Sequence, residues 1–324
     1  MQWAEIKALL LSAGNARLTG EPVTGILSRS TAGPGAGGPG SVFFSTGGRR
    51  VRLTVDESAP VTIEHKGSGV AVLSTDGITL PGKLEPAPLH CPGQAYITVS
   101  GGCIYHCKYC EVPLHEGKRK TVQEIEGMIR DNIDCINAIS LTSGVLSDPE
   151  EEEEYVISVV KALKKFDIPV GVSIYPTGRT AARLHELGVS EVKFNLEAAT
   201  GRIFSVMCPG TDRELIMDEL VQSAALFGKG KVFSNIIIGL GETDEELECC
   251  VRELASKGII PVLRPLSPSG ELKGRKRPSA SRLIRIFRMH SRVLLEEGLD
   301  PAGALTMCSA CTGCDLVPGR DDAI

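Results

Sequence analysis

From Tyr96 onward the chain alternates short apolar, β-branched runs with helical stretches, and this alternation narrows the fold more than any other feature. Strand-like runs fall at 95–100, 138–142, 168–174, 191–196, 232–238 and 259–263. Between them lie helix-start signals. Thr121-Val-Gln-Glu124 and Thr243-Asp-Glu-Glu246 are capping boxes, in which the first side chain and the fourth satisfy each other's free amides. Asp148-Pro149 followed by five glutamates opens another helix, with acid where the helix dipole favours it. That acidic run reads as a solvated helix start rather than a binding site. Further helices are predicted over 212–227 and 279–297. Strands and helices in strict alternation pack as a parallel sheet covered by helices. Six units fall short of the eight of a closed (β/α)8 barrel.

Residues 1–94 have a different texture. A short amphipathic helix over 3–10 leads into a Gly/Ser/Pro-rich stretch at 30–41, expected to be a mobile loop. Alternating runs at 41–45, 50–55, 61–65 and 70–74, punctuated by Gly47-Gly48 and Gly67-Ser-Gly69, predict a small antiparallel sheet. Such a sheet could cover the barrel or dock a partner. No internal repeat is visible. The net charge of −5 gives no reason to expect nucleic-acid binding. No run approaches 18 apolar residues, so no membrane span is expected, and the N-terminus does not read as a signal peptide. A cytoplasmic location follows as an expectation.

Eleven cysteines without an export signal argue for metal rather than disulfides. Six of them form two tight sets. Cys103, Cys107 and Cys110 have the spacing CxxxCxxC, and Cys308, Cys311 and Cys314 the spacing CxxCxxC. Three thiolates are one short of the four that usually hold a [4Fe–4S] cluster, which leaves one iron open to another ligand. A zinc knuckle is the alternative at the first set, with His106 or His115 as further ligand. At the second set the fourth ligand could be Cys91, Ser309 or a non-protein species, and zinc or disordered thiols are the alternatives. Cys135, Cys249 and Cys250 read as packing residues; Cys208, which follows the fourth strand, is less settled.

The CxxxCxxC stretch, with the aromatic Tyr109 before its last cysteine, resembles the radical S-adenosylmethionine (radical SAM) enzymes. The resemblance extends over about residues 95–300. It implies an α/β fold: a partial (β/α)6 barrel over 95–300, a β-rich region over 1–94 and a cluster-binding tail over 301–324. It also implies a [4Fe–4S] cluster on the motif with S-adenosylmethionine on its open iron, and Tyr109 near the adenine. Thr142-Ser143-Gly144 stands where relatives bind the methionine amine, although the usual acid is missing. Asn195 and Glu197 resemble the ribose-binding pair of biotin and lipoyl synthases. The run from Asn235 to Thr243, with Ile237, Gly239 and Gly241, resembles the stretch under the adenine. Arg264, in Leu-Arg-Pro-Leu, is similar to a lipoyl synthase arginine and is the candidate catalytic residue; a rim salt bridge is the alternative.

Within that branch the tail implies an auxiliary [4Fe–4S] cluster, with Cys91 as candidate fourth ligand, that gives up its sulfur. Typical lipoyl synthases carry their auxiliary cysteines before the radical motif and end in a serine ligand; this chain does neither. It is more similar to the archaeal-type two-component lipoyl synthases, in which two related chains share the sulfur insertions. The expected activity is sulfur insertion into an octanoyl group on a carrier-protein lysine. The implied partners are that octanoylated carrier, a related radical SAM chain and a reductant such as ferredoxin. The alternatives are another biotin-synthase-like reaction, or a cluster-bearing partner subunit. The basic run 273–277 could receive an acidic carrier.

Overall fold

The computed structural model describes residues 1–322, so the last two residues of the tail lie outside the described residues. Helix α1 (Trp3–Ala13) precedes six strands: β1 (Asn15–Gly20), β2 (Ser41–Thr46), β3 (Arg49–Val55), β4 (Thr62–His65), β5 (Val70–Thr75) and β6 (Ile78–Glu85). They close into a barrel in the order β1-β3-β2-β6-β5-β4. The expected small antiparallel sheet is therefore corrected to a closed barrel of mixed direction. Strand β1 pairs in parallel with both β3 and β4 and so closes it. Closure leaves no strand edge exposed. Two of its strands were illegible. Strand β1 is mostly polar and partly exposed, and β6 carries Pro81-Gly82, which reads as a turn.

The stretch 30–41 carries a 3-10 turn at Gly33–Gly35, and its last residue, Ser41, bridges to Ser28. It is tied to the first cysteine loop as well: Glu111 N donates to Gly33 O at 3.3 Å, and a His115 ring nitrogen lies 3.2 Å from Ala36 O.

A second sheet follows. Its strands are β7 (His90–Cys91), β8 (Gly93–Thr98), β9 (Ile136–Thr142), β10 (Val170–Ser173), β11 (Glu191–Lys193), β12 (Val232–Ile238) and β13 (Ile260–Pro265). They lie side by side in sequence order; β8 to β13 are parallel and β7 is antiparallel to β8. Six parallel strands with helices between them form the expected partial barrel. The helices are α2 (Val122–Arg130), α3 (Pro149–Leu163), α4 (Thr180–Glu186), α5 (Gly201–Met207), α6 (Arg213–Phe227), α7 (Asp244–Ser256) and α8 (Ala280–Glu296). The two capping boxes form as the sequence predicts, with Thr121 on Glu124 and Thr243 on Glu246. Asp148 caps α3 by accepting from Glu151 N at 3.0 Å. Helix α9 (Met307–Cys311) is the tail. No helix among the described residues is long and apolar enough to cross a membrane.

His290 on α8 is buried and lines a small apolar cavity with Ile238, Leu263, Leu283 and Leu316. Burial, weakly opposed by the Pro261 carbonyl, lowers this imidazole to about 3. The ring is then neutral in the native state, while in the unfolded chain it titrates near 6.5. As pH falls from about 6.5 toward 3 the unfolded state takes up the extra proton, so stability is lost by up to about 1.4 kcal/mol per pH unit. We expect His290→Leu to flatten that part of the pH dependence, measured by urea unfolding at pH 7, 5.5 and 4.5. An unchanged slope would show that the ring is not held neutral.

Candidate active site

The first cysteine loop leaves the end of β8 and is held by its backbone from three sides. Ile104 N donates to Val145 O at 2.7 Å, beyond β9. Lys108 N donates to Met207 O at 2.9 Å, at the end of α5. Past β13, Glu271 N donates to Lys108 O at 3.1 Å and Ser269 Oγ to Tyr109 O at 2.8 Å. Gly144 is required by contact: a Cβ there would lie 2.1 Å from Gly102 O. Cys103, Cys107 and Cys110 are all partly exposed and feel one another's charge. Burial raises the Cys103 thiol and pushes Cys110 up to about 12, whereas a hydrogen bond from Cys208 lowers Cys107. His106 is exposed, and His115 is engaged with Ala36, so neither zinc candidate is drawn into the thiol set.

Around this loop the cofactor candidates fall into two groups. Ser143 follows β9, but its hydroxyl is already committed: it donates to Glu152 at 2.6 Å and accepts from Ser100 N at 2.9 Å. Thr142 ends β9, and Gly144 supports the loop through Gly144 N to Ser100 O at 3.0 Å. Asn195 and Glu197 lie just past β11, where side chains replace part of the ladder. Asn195 Oδ1 accepts from Asn235 N at 3.3 Å, and Ser234 Oγ accepts from Leu196 N at 3.0 Å. Glu197 has φ 60°, and its carboxylate is favoured by the charges of Lys193 and Arg264 and by the neighbouring Tyr109 and Asn195. Burial outweighs these partners and pushes its carboxyl up to about 7. Tyr109 is buried and places its hydroxyl 3.6 Å from Cys208 Sγ. Ile237 is buried on β12, and the turn after it has φ 108° at Gly239 and 118° at Gly241, backbone that favours glycine. That turn's amides are gathered by Glu242, whose carboxylate pairs with Arg282 at 2.9 Å.

The tail approaches from the opposite end of the same barrel. Leu305 N, Thr306 N and Thr306 Oγ1 donate to Glu191 at 2.9, 2.8 and 2.6 Å. Met307 N donates to Gln94 Oε1 at 2.8 Å and to Ser140 Oγ at 2.9 Å. Gly171 admits the segment, because a Cβ there would lie 2.1 Å from Thr306 Oγ1. Cys308 then enters the interior, with Lys193 Nζ 3.3 Å and Arg264 Nη1 3.9 Å from its sulfur. Lys193 is 2% exposed. Burial opposes its charge, but Cys308 and Tyr96 outweigh that and raise it. Arg264 is also raised, by Cys314 and Cys308 against the cost of burial. Cys311 lies against Cys91, whose hydrogen bond lowers it to about 7, and both pack on Phe43 and Ala87.

The N-terminal barrel walls this second site. Arg50 Nη1 donates to Cys311 O at 3.3 Å, Arg52 N to Gly313 O at 2.7 Å, and Lys7 Nζ to Thr312 O at 2.6 Å. Two contributors escaped sequence reading. Lys193 read as an ordinary strand lysine, and Tyr96 as part of a buried strand. A period-two pattern from Glu191 through Lys193 to Asn195 was the available signal. The basic run 273–277 is partly used internally, with Arg275 on Leu240 O at 2.9 Å and Arg277 on Ser267 Oγ at 3.1 Å. Lys273 and Lys276 remain exposed.

Residues 97–254 match the family model of the radical SAM superfamily. No curated protein matches the chain. Among solved structures, it is similar to the FeFe-hydrogenase maturase HydG from Carboxydothermus hydrogenoformans, with 17% identity, a TM-score of 0.52, and coverage of 63% of this chain and 52% of that one. It is also similar to methylornithine synthase (PylB), with 16% identity, a TM-score of 0.52, and coverage of 63% and 62%. The chain thus spans about half to three-fifths of the length of these two structures. At such identities the likeness establishes the fold alone.

The superfamily implies a [4Fe–4S] cluster and S-adenosylmethionine. The first loop fits that pair in donor chemistry: three thiols, no fourth protein ligand in the loop, and a buried polar strand end beside it. Among the described residues, no group of three or more Cys, His, Asp or Glu donors converges as a preformed metal site at either set. Gly144→Ala should push the Gly101–Cys103 backbone aside at an overpacking cost of about 1–3 kcal/mol. We expect less iron to be bound at the first loop after anaerobic reconstitution, with far-UV circular dichroism unchanged. Wild-type iron content would show that the contact is not needed to shape the loop.

Proposed function

We propose that this chain, whose radical SAM domain makes it an iron–sulfur, S-adenosylmethionine-dependent enzyme, inserts sulfur into unactivated C–H positions of a protein-bound octanoyl group. What supports this reading is that the first thiol loop follows β8 while the tail packs on β8, β9 and β11 of the same barrel from its other end. Lys193 lies against Cys308 of the tail, and Glu197 neighbours Tyr109 of the first loop. Four residues of chain separate them, at most roughly 14 Å when extended. A substrate held between can face both sites. When bound, the first cluster and S-adenosylmethionine supply a 5′-deoxyadenosyl radical that takes hydrogen from carbon.

In this reading Asn195 and Glu197 bind the ribose diol, and the turn at Gly239 and Gly241 lets the backbone approach the adenine. Thr142 and Gly144 shape the methionine end, with backbone groups in place of the committed Ser143 hydroxyl. The tail thiols, with Cys91 beside Cys311, hold an auxiliary [4Fe–4S] cluster as the sulfur-donating co-substrate. Lys193 and Arg264 support that assignment: neither makes an ion pair with a carboxylate among the described residues, and both face tail thiols. An octanoylated carrier, a related radical SAM chain and a ferredoxin-type reductant are the partners of this reading. Lys273 and Lys276 are left to meet an acidic carrier.

A second reading has one observation in its favour. Lys193 and Arg264 could equally hold a substrate carboxylate, which an octanoyl-lysyl amide lacks. That would suit another biotin-synthase-like reaction.

Glu197→Ala should weaken S-adenosylmethionine binding by about 1–3 kcal/mol, the cost of losing a charged hydrogen-bond partner. Calorimetry on the reconstituted protein checks this, and unchanged affinity would move the ribose elsewhere. Changing Cys308, Cys311 and Cys314 together to Ala separates the two readings. Under sulfur insertion the variant still produces 5′-deoxyadenosine and still abstracts hydrogen from an octanoyl-lysyl peptide. It forms no carbon–sulfur bond by mass spectrometry in a single turnover. Thiolated peptide from this variant would rule out the tail as the sulfur source. A wild-type protein inert toward the octanoyl peptide but cleaving S-adenosylmethionine would favour the second reading.

A further inference from the structure

One polar side chain inside the parallel-stranded barrel has no partner. Asn235 on β12 is 6% exposed, and its Oδ1 is buried without a hydrogen bond among the described residues. The backbone around it is fully engaged. Asn235 N donates to Asn195 Oδ1 at 3.3 Å, Glu197 N donates to Asn235 O at 2.7 Å, and Ile237 N donates to Glu197 O at 2.8 Å. No neighbouring amide of these strands is left to serve the side chain. Register fixes where the side chain stands. Phe233 pairs with Lys193 of β11, and Ile237 pairs with Arg264 of β13. Residues side by side in a sheet share a face, and so do alternate residues of one strand. Asn235, between Phe233 and Ile237, therefore shares a face with Lys193 and Arg264, the two cations that reach Cys308. It precedes Ile237 and the glycine turn by two residues, and so lies on the tail side of the cofactor end. A buried acceptor without a donor is expensive, and an apolar side chain here would avoid that cost.

We infer that Asn235 is a specificity-determining residue whose Oδ1 accepts a neutral N–H of the substrate, the amide N–H of the octanoyl-lysyl linkage. The naming of that amide rests on the octanoyl reading above. The class of donor follows from the surroundings. An ammonium would meet Lys193 and Arg264 on the same face and be repelled, whereas a neutral N–H is not. The amide is the one polar feature of an octanoyl-lysyl group, so a polar wall can select that group nowhere else. An ester analogue would exclude water from Asn235 and bring no donor in exchange. A site built to pair with an N–H rejects the analogue that lacks it, because its own acceptor is then left buried and unpaired.

The test uses the anaerobically reconstituted full-length chain with S-adenosylmethionine, and reads peptide binding by calorimetry rather than turnover. The probes are an octanoyl-lysyl peptide and the same peptide with an ester oxygen in place of the N–H. Wild type should bind the amide peptide about tenfold more tightly than the ester. Asn235→Leu should bind the amide peptide about tenfold more weakly than wild type does and should no longer tell the two peptides apart. Its affinity for S-adenosylmethionine should be unchanged. Equal binding of both peptides by wild type overturns the inference, and this comparison needs no variant to fold. So does an Asn235→Leu protein that still prefers the amide, or one whose only loss is in S-adenosylmethionine affinity, which would place Asn235 at the cofactor. A wild-type protein that binds S-adenosylmethionine but neither peptide overturns the octanoyl reading, and the inference with it.

Discussion

Three backbone amides of the tail, those of Leu305, Thr306 and Met307, are satisfied by side chains of the barrel floor, and the second thiol set depends on that. Their acceptors are Glu191, Gln94 and Ser140, which are 0%, 4% and 0% exposed. A buried carboxylate without donors is expensive. Here Glu191 takes three hydrogen bonds from the tail and an ion pair from Lys231 at 3.5 Å. Floor and tail complete each other, and Cys308 is delivered into the interior by covalent continuity. Met307 takes φ 59° to make the turn, a local cost set against this network.

Once inside, the tail meets an unusual excess of cations. Lys7 spans Thr312 O and Asp321, with Nζ to Oδ2 at 2.7 Å, and Trp3 Nε1 holds the other Asp321 oxygen at 2.8 Å. Arg50 reaches Cys311 O, and Lys193 and Arg264 reach Cys308. Asp315 is 2% exposed, and burial raises it to about 6. One such carboxylate does little to balance Lys193 and Arg264. Glu197 and the tail thiols are the other acidic groups within the field of these two cations. The N-terminal barrel has a task here. Its strands β2 and β3 and the segment through Cys91 form a wall around the tail thiols, so both barrels contribute to this end of the molecule.

Much of this was legible in the sequence, for identifiable reasons. The six parallel strands announced themselves by apolar runs, and Thr121, Asp148, Asp212, Thr243 and Ser279 all cap helices as their side-chain chemistry predicts. Both cysteine sets and the nearness of Cys91 were visible in spacing and order. Barrel closure was not, because β1 pairs in parallel with strands some 40 residues on and its own residues lack alternation. The commitment of Ser143 to Glu152 was also hidden, since Ser143 reads as a methionine-amine contact and Glu152 as part of a solvated helix start. Lys193 was hidden by the general rule that lysines are exposed, a rule that fails where an anion is buried with them.

Strand β11 and its continuation show why that rule fails here. Alternate residues of a strand share one face, and on this face Glu191, Lys193, Asn195 and Glu197 follow one another. Glu191 binds the tail backbone, Lys193 the Cys308 sulfur and Asn195 the backbone of β12. The residues between them, Val192, Phe194 and Leu196, are wholly buried among the core side chains. A one-residue slip would drive four polar groups into that core and three apolar ones into the interior, so the register is fixed from both faces at once. The strand that is shortest among the six parallel ones is thereby the most constrained.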